Sequence, residues 1–229
     1  MSFKAAASVT VAALLTVLVH AEAQQKPTVA IPQPGVPQIM SIEGTYVRAA
    51  YNNEGYVILG YQIANESVGE DWVLLEIGAT LRSGKPAYKL TRSALTLDTP
   101  DGKTIPLATV VEYRGANLMA LQQRQKVMRD SINYFPPGAT SACRIGFFSE
   151  LGSSPIQVFD EVELSPQRAC LGQLFFRVPG GIKYGQHWLN VKFQNSLVRV
   201  PFRILTKDEQ KLLSKNLKSI KQQVDEAFK

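Results

Sequence analysis

The run HWLNVKFQNSLVRVPFRIL, residues 187–205, alternates on both sides of a short polar turn. Leu189, Val191 and Phe193 fall on one face, and Trp188, Asn190 and Lys192 on the other. After Gln194-Asn195-Ser196, the residues Val198, Val200, Phe202 and Ile204 again share a face. A period of two sends successive side chains to opposite sides of a sheet, so this stretch reads as a hairpin with one face in a core. Pro201 has no amide hydrogen to give a neighbour, which places the second strand at a sheet edge or a bulge.

The period changes immediately downstream. Thr206-Lys207-Asp208-Glu209 is a capping box, in which the Thr hydroxyl accepts from the first turn and the Glu reaches back. Leu213, Leu217, Ile220, Val224 and Phe228 then recur at helical spacing. A narrow apolar seam on an amphipathic helix over 206–229 follows.

Upstream the two-residue rhythm continues. Tyr46–Tyr51 and Tyr56–Ile63 flank the turn Asn52-Asn53-Glu54-Gly55, a second hairpin. Trp72–Leu81, Tyr88–Leu97 and Lys103–Leu107 follow, with Gly and Pro turns between them. Past the middle come Ala142–Phe148, Ile156–Leu164 and Cys170–Val178. Short strands at regular spacing, about nine to eleven in all, are the pattern of a sandwich or barrel. Residues 116–131 (ANLMALQQRQKVMRDS) interrupt it. They hold no Gly or Pro, Asn117 can cap their start, and Leu118, Leu121, Met128 and Ile132 form a ragged stripe. An inserted helix is expected there.

The N-terminus carries Lys4, the uncharged apolar run Ala5–Val19 and the small-x-small site Ala21-Glu22-Ala23. This predicts a secretory signal peptide over 1–23, since the run is shorter than the ~20 residues a spanning helix needs. Residues 24–40, with Pro27, Pro32, Pro34 and Pro37, read as a Pro-rich leader. The expected location is the periplasm or the extracellular space, with no transmembrane span after processing. In such an oxidising compartment Cys143 and Cys170, the chain's two cysteines, have one pairing open to them. A disulfide closing that segment contributes roughly 3–4 kcal/mol in the chain-entropy model.

The 229 residues, 45% hydrophobic and 19% charged, exclude a disordered chain and a polytopic membrane protein. Little in them points to catalysis. A chain processed at Ala23 retains one histidine, His187, and the sequence has no HExxH, CxxC or GxSxG pattern. A surface or rim position is expected for His187, and neither a catalytic residue, a metal nor a cofactor is assigned. Carboxylates are the remaining catalytic material. Glu161 and Glu163 share a strand face and are the candidates for a hydrolase. Glu66, Glu70 and Asp71 form a loop cluster, and either group is a weak Ca²⁺ candidate.

The net charge of +6 raises nucleic acid or an anionic surface as partner. Lys211, Lys215 and Lys218 line one helix stripe, but Asp208, Glu209, Asp225 and Glu226 leave the segment weakly basic. Export argues against nucleic acid and leaves an anionic envelope surface. Asn65-Glu66-Ser67 matches an N-glycosylation sequon.

The span from Tyr56 to Leu107, with its Trp72 strand and TLDTPDGKTIPL, resembles secreted bacterial domains of immunoglobulin-like sandwich type. GQLFFRVPGGIKYGQHWLNVKF and SLVRVPFRIL, residues 172–193 and 196–205, are similar to the final strands of such domains. The resemblance covers roughly residues 44–205, is architectural, and carries no activity or site residues with it.

The expectation is therefore a mainly β, antiparallel immunoglobulin-like sandwich over 41–205, with an inserted helix and a C-terminal amphipathic helix. Two small sandwiches dividing near 114–140 is the other arrangement. The leading function is a non-catalytic binding or interaction module of the cell envelope. It would use a protein partner or self-association through Leu213, Leu217, Ile220, Val224 and Phe228. The alternatives are a carbohydrate- or cell-wall-binding domain that stacks sugars on Trp72, Trp188 and Tyr184, and a carboxylate-dependent hydrolase.

Overall fold

The computed structural model describes residues 38–149, 151 and 158–227. The expected signal peptide, most of the Pro-rich leader and Phe228 lie outside the described residues. Strand makes up 41% and helix 22% of the structure, so the chain is mainly β.

Three sheets form among the described residues. The largest has the order β1 (Ile39–Gly44), β2 (Val47–Tyr51), β3 (Gly55–Gly60), β4 (Trp72–Leu81), β10 (Arg168–Arg177) and β8 (Ser141–Ile145). The second runs β12 (Leu197–Ile204), β11 (Gly185–Lys192), β6 (Leu95–Asp98) and β7 (Thr104–Pro106). The third pairs β5 (Tyr88–Thr91) with β9 (Glu161–Leu164). Among the described residues every pairing is antiparallel except β8–β10, which is parallel. Strands from before and after the insertion share sheets: β4 pairs with β10, and β6 with β11.

Both predicted hairpins form, and their turns are tied together. Asn52 Oδ1 accepts from the amides of Glu54 and Gly55 at 2.8 and 2.9 Å, closing the first turn. The buried Glu54 carboxylate accepts from the Asn195 amide at 3.1 Å and the Ser196 hydroxyl at 2.6 Å, in the second turn. Gly55 is required here, because a Cβ would meet the Phe193 ring at 2.2 Å. Glu54→Ala strands these donors and is expected to cost about 1–3 kcal/mol in chemical denaturation, with Glu54→Gln losing less.

Pro201 sits, as its chemistry demands, on an edge strand. Arg199 on that strand points its amide and carbonyl outward, where the Gln38 side chain takes both, at 2.7 and 2.6 Å. By alternation Pro201 also faces outward, so its missing N–H blunts the edge rather than breaking the ladder.

The apolar rows of all three sheets close on one core, including Leu59, Leu75 and Ile77 from the first, Leu97, Val191 and Val200 from the second, and Leu90 and Leu164 from the third. The predicted Tyr88–Leu97 strand breaks at a 3-10 turn, Arg92–Ala94, and so supplies β5 and β6 to different sheets. Arg92 anchors that break by donating to the carbonyls of Phe147 and Ala108.

Of the helix expected over 116–131, α3 (Met119–Val127) forms, and an unpredicted short helix, α2 (Val110–Gly115), precedes it. α2 begins at a capping box between Thr109 and Glu112, and Asn117 Oδ1 accepts from the Met119 amide at 3.3 Å. Helix α3 stops short of the expected residue 131 because 129–135 cross the outer face of the large sheet. That face carries a second small core of Val47, Ala49, Ile58 and Ile132. A further helical turn, α1 (Gln62–Asn65), replaces the expected end of the Tyr56–Ile63 strand. The long C-terminal helix, α4, runs Lys207–Ala227. Its predicted capping box forms: the Thr206 amide donates to Glu209 at 2.9 Å and the Glu209 amide to Thr206 Oγ1 at 3.3 Å.

Candidate functional site

Cys143 and Cys170 form the disulfide. They are register partners across the parallel β8–β10 pair, so the bond staples neighbouring strands. His187 is not at a surface or rim: it is 2% exposed, stacked on Phe202 with centroids 5.3 Å apart. Its Nδ1 lies 3.1 Å from the Gly185 carbonyl, and burial holds its pKa below the usual imidazole value. The expectation failed because position 187 faces inward with Leu189 and Val191, a parity its place before Trp188 had obscured.

Glu161 and Glu163 share an exposed face of β9 but face cations. Lys89 Nζ is 2.5 Å from Glu161, and Arg168 is 3.3 Å from Glu163. In the loop cluster, Glu70 is taken up by Arg124, which also donates to Ser67 Oγ at 3.0 Å. Asn65 of the sequon is 3% exposed and its Oδ1 accepts from the Leu205 amide at 2.7 Å, which closes it to glycosylation in the folded chain.

The three aromatics proposed for sugar stacking lie on separate elements. Trp72 is half-buried against the main core at the start of β4. Tyr184 is 52% exposed in the loop before β11. Trp188 is half-buried on the outer face of the second sheet, with the Arg199 guanidinium 4.8 Å from its ring centroid. Arg199 is itself held by Asp98 at 2.8 Å and Asn190 at 2.9 Å.

Helix α4 lies beside β1, the edge strand of the large sheet. Leu213, Leu217 and Ile220 are half-buried, while Val224 is a side chain outside the described residues. On the neighbouring stripe Leu212 is 63% exposed, flanked by the exposed Lys211, Lys215 and Lys218. Arg203 pairs with Glu209 at 2.7 Å, joining the end of β12 to the first turn of the helix. Asp208 and Glu209 in the first turn complement the helix dipole.

One cluster escaped the sequence reading. Glu76 of β4 and Asp130 of the crossing segment meet on the outer face of the large sheet, where the Asp130 amide donates to Glu76 Oε2 at 2.9 Å. Both carboxyls are held above their ordinary pKa, by burial first, and Asp130 is pushed up to about 6. They border a cleft of about 300 Å³ also lined by Arg129, Arg144 and Gln173. The signal was a single carboxylate inside the apolar run WVLLEIGATL, which alternation alone assigns to solvent.

Comparison with protein-family models, curated proteins and solved structures returns no match for the chain.

Proposed function

We propose that the chain is an exported, non-catalytic binding module of the cell envelope, an immunoglobulin-like sandwich that presents α4 to a protein partner or to a second copy. The sheets supply a rigid base and the helix supplies the contact. The supporting observation is the state of α4. Its 21 residues span about 31 Å, yet Leu213, Leu217 and Ile220 of its apolar seam are only half-buried, with Leu212 bare beside them. A helix whose work was to complete the core would bury that seam.

The test is a crosslinked pull-down from the exported fraction of the source cells, with the mature chain run beside one lacking 206–229. The expected result is a stoichiometric protein, or a crosslinked dimer, lost on deletion. Equal recovery of neighbours by both forms, or of none, would count against the reading.

A carbohydrate-binding surface is the second reading. It rests on Trp188, half-buried beside Asp98, Asn190 and Arg199 on an outer sheet face. Trp188→Ala is expected to abolish retention on glycan or cell-wall resin if that face is used, and to leave the helix-dependent pull-down intact.

A further inference from the structure

Residues 129–135 cross the large sheet as a strap, and three contacts seat them. Ile132 is buried against Val47, Ala49 and Ile58. Phe135 lies over Gly78, where an added Cβ would meet its ring at 2.9 Å. Asp130 presses on Gly60, where a Cβ would come within 2.6 Å of the Asp130 Cβ. The Asp130 Oδ2 accepts from the Gln62 amide at 2.8 Å, so the same carboxyl holds both the strap and the turn after β3. Beside Glu76, as its register partner in β10, stands Gln173. Its Oε1 is buried and has no hydrogen-bond donor.

We propose that Glu76 and Asp130 form a proton-operated latch: a protonated carboxyl seats the 129–135 strap on the sheet, and loss of the proton loosens it and uncovers Val47, Ala49 and Ile58. The Glu76 charge acts on the desolvated Asp130 carboxyl and repels its charged form, and the neutral form removes that repulsion. A protonated Glu76 also brings to this corner the donor that Gln173 Oε1 lacks.

The surrounding charges do not neutralise the pair. Arg48 of β2 acts on Asp130 as a cation, but its guanidinium is engaged by the carbonyls of Gly44 and Val47, at 2.8 and 2.9 Å, and lies over the Tyr61 ring. Tyr46 and Tyr61 face Asp130 as neutral phenols, both with pKa values raised chiefly by burial. Arg129 of the strap acts on Glu76, and Arg144 at the other side of the cleft donates to the Phe148 carbonyl at 3.1 Å. Burial outweighs these cations. A carboxyl whose folded pKa is raised stabilises the fold fully below its unfolded value near 4, and that contribution is lost as pH rises through about 6.

Hydrogen exchange of the mature chain at pH 5.0 and 7.5, corrected for intrinsic chemistry, reads the latch directly. Protection of the 129–135 amides is expected to fall at least tenfold at the higher pH, while β3 and β4 stay unchanged. Asp130→Asn can still accept from Gln62 but cannot titrate, so the pH step at the strap disappears. Glu76→Gln removes the neighbouring charge and leaves Asp130 to titrate, so there the step survives with its midpoint moved lower. Should neither fold, the carboxyl carbon shift of Asp130 in the wild type decides, with a midpoint near 6 expected. Equal protection at both pH values, a step that survives in Asp130→Asn, an unmoved midpoint in Glu76→Gln, or an ordinary Asp midpoint in the wild type would overturn the proposal.

Discussion

Replacing Cys143 and Cys170 together by Ala is expected to lower the melting temperature by roughly 10 °C. The bond joins register partners in the one parallel pairing among the described residues, and β8 is the outermost strand of its sheet. A parallel pair cannot be closed by a tight turn. The chain must leave β8, cross through β9 in another sheet and return in β10, so β8 is attached through a long loop. Closing that loop in the unfolded chain is the entropy the disulfide removes, worth roughly 3–4 kcal/mol. At about 2–4 °C per kcal/mol for a domain of this size, the shift follows. Packing contributes less, because Cys170 is fully buried but Ala is only one atom smaller. Thermal unfolding of the oxidised wild type against the double variant measures it, and hydrogen exchange locates it, with β8 opening first. A shift below about 2 °C would show that packing on β10 alone holds β8.

What the sequence disclosed follows from what each kind of signal measures. Trp72–Leu81 was legible to its end residues because ten consecutive positions fit one strand, and Leu197–Ile204 because alternation and Pro201 agree. The C-terminal helix and its capping box were legible for the same local reason. Tyr88–Leu97 was not, since the break at Arg92–Ala94 is set by carbonyls of Phe147 and Ala108 that lie far along the chain. The Gln62–Asn65 turn is likewise imposed from outside, by Asp130. Alternation also says which residues share a face without saying what covers it. Leu74, Glu76 and Gly78 form the second row of β4, and the sheet is covered there by α2 and the strap. The Glu76–Asp130 cluster was therefore out of reach, whereas the cysteine pair, with one pairing open, was not.

Phe175→Ala is expected to cost about 3–5 kcal/mol, the full price of an emptied aromatic site in a core. Phe175 lies on the second row of β10, opposite Leu74, and is completely buried. Its ring contacts Tyr113 of α2 at 4.8 Å and Phe148 at 5.1 Å, and Tyr113 and Phe148 are 5.0 Å apart. The backbone joins the same corner, where the Phe175 carbonyl accepts from the Ala108 amide at 2.9 Å. The three rings thus dock the inserted helices on the sheet, and removing the central one leaves a void that two aromatics cannot both fill. Tyr113→Phe serves as the comparison. It keeps the rings and loses only the hydroxyl that donates to the Ser149 carbonyl at 2.7 Å, at a cost of about 1 kcal/mol. In guanidinium denaturation the ring–ring part emerges as a coupling of about 0.5–1.5 kcal/mol between Phe175→Ala and Tyr113→Ala. A cost near 1 kcal/mol for Phe175→Ala, with no coupling, would mean that α2 collapses into the void and that the insertion is held by Arg92 and the capping box instead. Because Ala108 leads directly into α2, the same variant should raise exchange across Val110–Gly115 while leaving the hairpin β11–β12 protected.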